Sequence, residues 1–565
     1  MATGCEKFLD INANPNFATS VTPDALLASA LVTTAANYTG GVGGGNNYNS
    51  YASFAAGYWT KSGTVSGFST ERTYLYNNTY NQTLFNSTYD NLYDYQLIQQ
   101  NGATTYPNHA AIARIMKVYN YLLLVDQYGD IPYKQALKGI ANTTPSYDKA
   151  ADIYKDLVEQ LKGAVTDINA VPATALIVTN EDVVFNGNML RWKQFANSLR
   201  LRILLRESST NDATLNTYVA QEMAKLEADV TAGDGFIARD VVVQPTYTAN
   251  TNQQNPFYDR YGFSPGASRA QAEYSFILPT NYIINQYLHN KDARITQYYR
   301  RGQRNVPDTT IAVSQYVGGD LGEGSSPQFD PTDGASVGSR FLTPRQNPLG
   351  GTFLRGATAP TVIMLLSEQL FSKAEAETRD LFTGGDAAAK QDFLDGIKSS
   401  FITAYREAAT VPATLATVTA GVTQYDTYIS SNTGNGLVDY DATTTTTPDA
   451  NADVYNAEKS YDIGAGGSTT LFTGPLLKTP LLTAARTVTN VEKIIYQKYL
   501  SENTLASVDG LDDYRRTGLP KFKLSRGSAG RPFPHRLFYP QSETNTNPAN
   551  LPVGIDQNTK IFWQN

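Results

Sequence analysis

Apolar residues recur at helical spacing in several separate segments of this chain. The clearest segment covers residues 108–137, where a helix face with the i, i+3, i+4, i+7 pattern is formed by Ile112, Ile115, Met116, Tyr119, Leu122 and Leu123. Val118, Tyr121 and Val125 add a second apolar side. A helix that is apolar on two sides packs between neighbours, so the pattern predicts a helical layer or a repeat array.

The two ends of this segment carry start and stop signals. Asn108 follows Pro107 and is a candidate N-cap, whereas Gly129 and Pro132 predict the end of the helix, because proline disfavours helical geometry at the preceding residue. The exit sequence DQYGDIPY, residues 126–133, is therefore interpreted as a rigid structural corner. A functional site at the same place is the alternative interpretation.

The same periodicity appears in six other segments, which cover residues 147–168, 188–207, 278–299, 362–381, 393–405 and 491–500. Only residues 236–247 look extended. Two segments interrupt the pattern and are predicted to be loop insertions, at about 301–351 and 410–470, the second of them exposed. The sequence thus predicts a mainly α fold, in which tetratricopeptide-like helical hairpins are joined by long irregular loops with minor β structure.

Aromatic and amide residues cluster in two stretches outside the helical pattern. Because loops on a rigid scaffold commonly carry binding residues, we predict ligand contacts from Tyr58, Trp59, Phe68, Tyr74, Asn255, Phe257 and Tyr258. Flat rings pack on the C–H faces of sugars, and amides bond to hydroxyl groups; a peptide would use the same groups through its backbone. Packing of these rings into the core is the alternative.

The charge distribution argues against nucleic acid as a partner and against catalysis. The chain has a formal net charge of −7 and no basic cluster that would attract a polynucleotide. Its three histidines, His109, His289 and His535, lie far apart without metal-ligand spacing, so no metal, cofactor or catalytic residue is predicted and the protein is expected not to be an enzyme. Asp512 and Asp513 are interpreted as salt-bridged to nearby arginines.

Four arginines surround the segment of residues 188–207, namely Arg191, Arg200, Arg202 and Arg206. They are interpreted as intramolecular clasps, with a groove for an anionic ligand as the alternative.

Cys5 is the single cysteine of the chain, and small residues precede it in the sequence MATGC. This context is typical of a bacterial lipoprotein signal, so Cys5 is predicted to be the lipidation site, and residues 1–20 are predicted to form a tether ahead of one domain at 21–565. No apolar run reaches the 18 or so residues that a spanning helix needs. Attachment to a membrane is therefore expected through acyl chains.

Four segments together resemble the SusD/RagB family, and they occur in family order: GCEKFLDIN at 4–12, QYGDIPY at 127–133, DYRRTG at 513–518, and RLFYP at 536–540 with Glu543 behind it. The resemblance implies a SusD-like outer-membrane lipoprotein on the cell surface. It implies capture of oligosaccharides for a SusC-like TonB-dependent transporter. Capture of oligopeptides by the same system, or a repeat scaffold for protein partners, remains the alternative.

Overall fold

The structure is a computed structural model that describes residues 21–41, 46–62, 68–102, 104–267, 269–305, 312–322, 338–343, 351–406, 414–446, 460–462, 471–473, 485–522 and 524–564. Cys5 and the segment of residues 4–12 lie outside these ranges. Among the described helices, none combines the length and the apolar character required to cross a membrane.

Helices dominate the described part of the chain, which confirms the predicted mainly α fold. They are α1 (Pro23–Ala35), α2 (Tyr48–Ala55), α3 (Ser69–Thr73), α4 (Gln82–Gly102), α5 (Pro107–Tyr128), α6 (Ala150–Asn169), α7 (Met189–Glu207), α8 (Ala213–Asp229), α9 (Pro256–Tyr261), α10 (Ala272–Phe276), α11 (Asn281–His289), α12 (Ile295–Tyr298), α13 (Leu366–Thr378), α14 (Gly385–Tyr405), α15 (Val422–Ser431), α16 (Asn490–Glu502), α17 (Ser507–Thr517) and α18 (Gln541–Thr546). Successive helices α4 to α8 pack against one another, as do α13 with α14 and α16 with α17.

The described strands are short and form antiparallel pairs. They are β1 (Trp59–Lys61) with β5 (Ile277–Pro279), β2 (Ile131–Pro132) with β3 (Tyr147–Asp148), β4 (Val241–Val243) with β10 (Thr361–Met364), β6 (Tyr299–Arg300) with β9 (Arg340–Phe341), β7 (Gly302–Asn305) with β8 (Ala312–Gln315), β11 (Thr444–Thr445) with β14 (Arg486–Thr487), and β12 (Ser460–Asp462) with β13 (Leu471–Thr473). These pairs join loops rather than form a layer of their own.

Helix α5 lies at the centre of the helical array. It begins at Pro107, with Tyr106 as N-cap, so the prediction of Asn108 as N-cap is wrong by two residues. Proline is suited to this first position because it lacks only an N–H that the first turn leaves unpaired. The helix ends before Gly129, as predicted. Gly129 has φ +72°, and a Cβ there would lie 2.8 Å from Nη1 of Arg536, so glycine permits both the turn and the close approach.

Two expectations drawn from periodicity are wrong. Residues 361–364 form strand β10 rather than the first turn of a helix, and residues 278–299 are divided among β5, α11 and α12. In both places short apolar runs fit either a buried strand or a helix, and tertiary pairing decides between them. Part of the insertion expected to be exposed forms α15, where Tyr428 is buried and its ring centroid lies 5.3 Å from that of Phe401. The division into one tether and one domain remains a prediction.

The DQYGDIPY segment is a structural corner that joins distant parts of the chain. The carbonyl oxygen of Asp126 accepts a hydrogen bond of 2.9 Å from Arg515 in α17. The carbonyl oxygen of Asp130 accepts one of 2.7 Å from the hydroxyl group of Tyr539. The segments of residues 127–133, 513–518 and 536–540 therefore meet at this corner, and bonding within the fold accounts for their residue types.

A buried ion-pair network fastens α5, α7, α13 and α17 together. Arg206 donates to carboxylate oxygens of Asp126 and Asp509, at 2.8 Å for Asp509. Arg202 makes a two-pronged contact with Glu368 at 2.7 and 2.8 Å. All five side chains are buried, so Arg202 and Arg206 are the intramolecular clasps that the sequence predicted.

Asp512 and Asp513 occupy different electrostatic environments at the edge of this network. Burial raises the pKa of Asp512 to about 8, although Arg206 opposes the shift. For Asp513, Lys498 and Arg516 outweigh the effect of burial and hold the pKa below its usual range. Arg516 also contacts Glu375. Asp513 is therefore salt-bridged to Arg516, at 2.8 Å, as predicted, whereas Asp512 lies 3.3 Å from Arg515 with a pKa that favours its neutral form at pH 7.

Candidate functional site

A cleft of about 1200 Å³ opens on the outer side of α9. We call it the α9 cleft; it is lined by the end of α1, residues 40–41, residues 245–248 and 252–254, and the first turns of α9 and α10. Its floor is tight at Gly40, where a Cβ would lie only 2.4 Å from the carbonyl oxygen of Pro256. The cleft is large enough for several sugar or peptide units.

Amide and hydroxyl groups dominate one wall of the α9 cleft. Asn252 and Gln253 are exposed in a turn where Asn252 has φ +60°. The Gln253 side chain is held in one orientation because its Oε1 accepts hydrogen bonds of 2.9 Å from Thr248 and 3.2 Å from Asn250. With both lone pairs of Oε1 engaged, the oriented Gln253 amide presents its Nε2 donor to a ligand hydroxyl group without first losing side-chain freedom.

Charged groups form the opposite wall. Arg260 donates at 2.9 Å to Glu273 and at 3.4 Å to the carbonyl oxygen of Gly40, which ties α9 to α10 and to the end of the first helical segment. Asp259 also lines the cleft, and burial raises the pKa of its carboxyl group. This wall therefore presents both donors and acceptors.

Tyr247 contributes an aromatic ring to the lining of the cleft. Its hydroxyl oxygen accepts a hydrogen bond of 3.3 Å from Thr361, which fixes the ring against β10. Burial raises the pKa of Tyr247 to about 12, so the phenol is neutral at physiological pH. A fixed, neutral ring beside amides suits the apolar face of a sugar.

The structure brings the two predicted groups of ligand residues together, but in the core. Trp59 is 1% exposed, its ring centroid lies 6.4 Å from that of Phe257, and its Nε1 donates to Thr504 at 2.8 Å. Asn255 is the N-cap of α9: its Oδ1 accepts from the backbone N–H of Tyr258, which is itself buried. The expectation that these side chains face outward is wrong.

The other predicted residues of the first stretch are also fixed by the fold. Tyr58 stacks on Tyr499 with ring centroids 4.4 Å apart, and the hydroxyl oxygen of Tyr74 accepts a hydrogen bond from the backbone N–H of Ser525. Phe68, which is half-buried, packs on Phe54 with centroids 4.8 Å apart. The stretch that looked like an open loop is covered because β1 pairs with β5 inside the aromatic core. A direct role of the seven residues in binding stays a prediction.

Asn255 and Phe257 line a small cavity of about 40 Å³. This volume is close to that of a single water molecule, so it excludes a sugar ring. Sequence patterns did not single out the residues that face the larger cleft, which are Tyr247, Gln253 and Asp259. The available signal was the amide-rich run of residues 252–255, which precedes α9 directly.

A sequence model of the family SusD-like_2, described as "Starch-binding associating with outer membrane", matches residues 15–540. The chain belongs to this family. No curated protein sequence matches this SusD-like chain.

Solved structures similar to this SusD-like chain share its fold. A protein described as "chitin-binding protein", with no organism stated, is 20% identical with a TM-score of 0.65, over 96% of this chain and all of the other (100%). A chitin-binding SusD homolog from Flavobacterium johnsoniae is 19% identical with a TM-score of 0.61, over 91% and 92%. A SusD/RagB family protein from Bacteroides thetaiotaomicron is 17% identical with a TM-score of 0.60, over 94% and 95%.

The histidines of the SusD-like chain serve separate local contacts. His109 Nε2 lies 3.0 Å from a carboxylate oxygen of Glu181, and His289 Nε2 lies 2.7 Å from the carbonyl oxygen of Thr446. Within the described ranges, no group of three or more His, Cys, Asp or Glu side chains is placed to hold a metal ion.

Proposed function

We propose that this protein captures oligosaccharides at the cell surface and passes them to a SusC-like TonB-dependent transporter in the outer membrane. The observation that carries the proposal is the α9 cleft, which is lined by the oriented amide of Gln253, by Asn252 and Asp259, and by the edge of the Tyr247 ring, which is 8% exposed. The family description names starch binding, and two relatives of the same fold are described as chitin-binding. In this proposal the protein binds its ligand and does not alter it.

The α9 cleft replaces the buried aromatic group as the proposed ligand site. Sugar hydroxyl groups need paired donors and acceptors, and the cleft supplies both from Asn252, Gln253 and Asp259. The wide opening suits a chain that enters and leaves intact. Passing the bound ligand on to a transporter would require such reversible binding.

Titration calorimetry with chitohexaose and maltoheptaose tests this site. We expect one of them to bind, and we expect the Asn252→Ala/Gln253→Ala double variant to bind about tenfold more weakly, since two hydrogen bonds of about 0.7 kcal/mol each would be lost. The matched control is Gln391→Ala, an exposed glutamine on α14 outside the cleft, which should bind like the parent.

Binding of neither oligosaccharide at millimolar concentration, with binding of a peptide pool, would favour the oligopeptide alternative. Capture of a transporter without any small ligand would favour the scaffold alternative. Unchanged sugar affinity in the double variant would remove the α9 cleft as the site.

We also propose that acyl chains on Cys5 anchor the protein to the outer membrane. Acylation stabilises membrane attachment in proportion to the number of chains, so removal of the thiol should release the protein. With a complete signal peptide restored, the Cys5→Ala variant is expected in the soluble fraction after cell fractionation. A Ser20→Ala variant is the control and should remain with the membrane; retention of Cys5→Ala there would place the anchor elsewhere.

A further inference from the structure

A second cavity, of about 580 Å³, lies away from the α9 cleft, between α4, α5, α6 and the loop of residues 133–141. We call it the α4–α6 cavity. Four cationic side chains line it together with one carboxylate, Asp156, although the whole chain is acidic: Lys117, Lys134, Lys138 and Arg114, the last of which is paired with Asp167 at 2.8 Å. Positive charge is therefore concentrated at this cavity, although the protein carries a net negative charge. A cavity with positive charge favours the binding of an anion.

Lys117 is half-buried, whereas Lys134 and Lys138 are exposed. Its Nζ donates to the amide oxygens of Gln96 and Gln99, the second at 3.0 Å, and no ion pair joins it to a carboxylate among the described residues. Burial, with Arg114 nearby, lowers the pKa of Lys117 to about 8. A half-buried ammonium group held only by neutral amides is stabilised strongly by an incoming negative charge.

The single carboxylate of the cavity is already engaged. Asp156 accepts a hydrogen bond from the hydroxyl group of Tyr133 and one of 3.2 Å from Gln160. Gln160 also accepts from Arg114 at 2.8 Å. Asp156 thus orders the rim of the cavity and makes no ion pair with Lys117 among the described residues.

Polar and aromatic groups beside the cations would suit a sugar ring. Gln96, Gln99 and Gln160 offer amides for hydroxyl groups, and Tyr133 packs edge-on against Tyr121 with centroids 4.7 Å apart, which gives the cavity a rigid aromatic side. The volume is that of a small-ligand site.

We propose that the α4–α6 cavity binds a saccharide that carries an oxyanion, either a carboxylate or a sulfate ester, with Lys117 as the main anion contact. The choice of sugars rests on the proposed glycan function, whereas the preference for an anion rests on the cavity itself. The exposed Lys134 and Lys138 attract the ligand to the entrance.

Calorimetry with D-glucuronate, D-glucose 6-sulfate and D-glucose tests the proposal at low salt. We expect at least one anionic sugar to bind, glucose not to bind in this cavity, and Lys117→Gln to weaken anionic binding at least tenfold. The relative affinities of the two anionic sugars identify the preferred group. Binding should also weaken as salt is raised from 20 to 200 mM, on the order of severalfold.

Two further variants keep the test decisive if Lys117→Gln folds poorly. The Lys134→Gln/Lys138→Gln variant changes only exposed side chains and should weaken anionic binding severalfold, whereas Lys390→Gln, a lysine on the exposed side of α14, should leave it unchanged. Chitohexaose or maltoheptaose binding should be the same in all of these variants, which separates this cavity from the α9 cleft. Equal binding of glucose and glucuronate, or parental affinity for anionic sugars in both cavity variants, would overturn the proposal.

Discussion

Replacing Arg206 by methionine is expected to destabilise the protein by about 3–5 kcal/mol, because the substitution leaves buried carboxylates without their cation. Arg206 is 5% exposed and contacts Asp126, Asp509 and Asp512. Asp126 belongs to α5, and Asp509 and Asp512 belong to α17, so the substitution removes a cation that links both helices to α7. Urea unfolding, monitored by circular dichroism, gives the change in the free energy of unfolding.

Two variants define the origin of the effect. Lys390→Met removes a lysine whose partner Asp441 is exposed, and it should cost less than about 1 kcal/mol. Adding Asp126→Asn to Arg206→Met removes one of the stranded charges and should recover part of the stability. A loss below 1 kcal/mol for Arg206→Met would show that the network is not needed to hold α5 and α17 together.

Replacing Trp59 by alanine is expected to cost about 3–5 kcal/mol of stability, as for a buried aromatic side chain that leaves a cavity. The indole ring contacts Phe54, Tyr261 and Phe341, with centroids 5.8, 5.3 and 5.7 Å away. A large fall in the melting temperature is the measurement. At temperatures where the variant is folded, its oligosaccharide affinity should equal that of the parent, because Trp59 does not line the α9 cleft.

Tyr93→Ala is the matched control, since Tyr93 is 39% exposed and should change stability by less than about 0.5 kcal/mol. Trp59→Phe should lie between the two, because it keeps most of the packing and loses the hydrogen bond to Thr504. A parental melting temperature for Trp59→Ala together with weakened sugar binding would restore the first hypothesis, in which Trp59 is a ligand platform.

The two electrostatic clusters of this protein have different purposes. In the network around Arg206, cations and carboxylates are paired and closed off from solvent. In the α4–α6 cavity, Lys117 donates to neutral amides and makes no ion pair among the described residues, and the cavity is large enough to admit a ligand. The lack of an ion pair distinguishes Lys117, a candidate anion contact, from the structural arginines of the network, although both are cations whose roles the sequence alone does not tell apart.

The local residue pattern was sufficient to predict that this protein is mainly helical and that residues 126–133 form a structural corner. The spacing of apolar residues predicted α5, α6 and α7, because a helix face needs only neighbours three and four positions away. Gly129 and Pro132 predicted the end of α5 for an equally local reason. Arg202 and Arg206 of α7 were interpreted correctly as clasps, since cations on an apolar helix require internal partners.

Tertiary structure decided which aromatic and amide residues reach solvent. Trp59 is covered by rings from distant segments and bonds to Thr504, 445 residues away, and nothing in its neighbouring residues encodes that contact. Asn255 likewise became a helix cap, while Gln253, two residues before it, faces the α9 cleft. The sequence by itself determined the long helices α5, α6 and α7, because their apolar faces repeat over several turns. The location of the cleft was decided by burial, which depends on the whole fold and is not a property of any single segment.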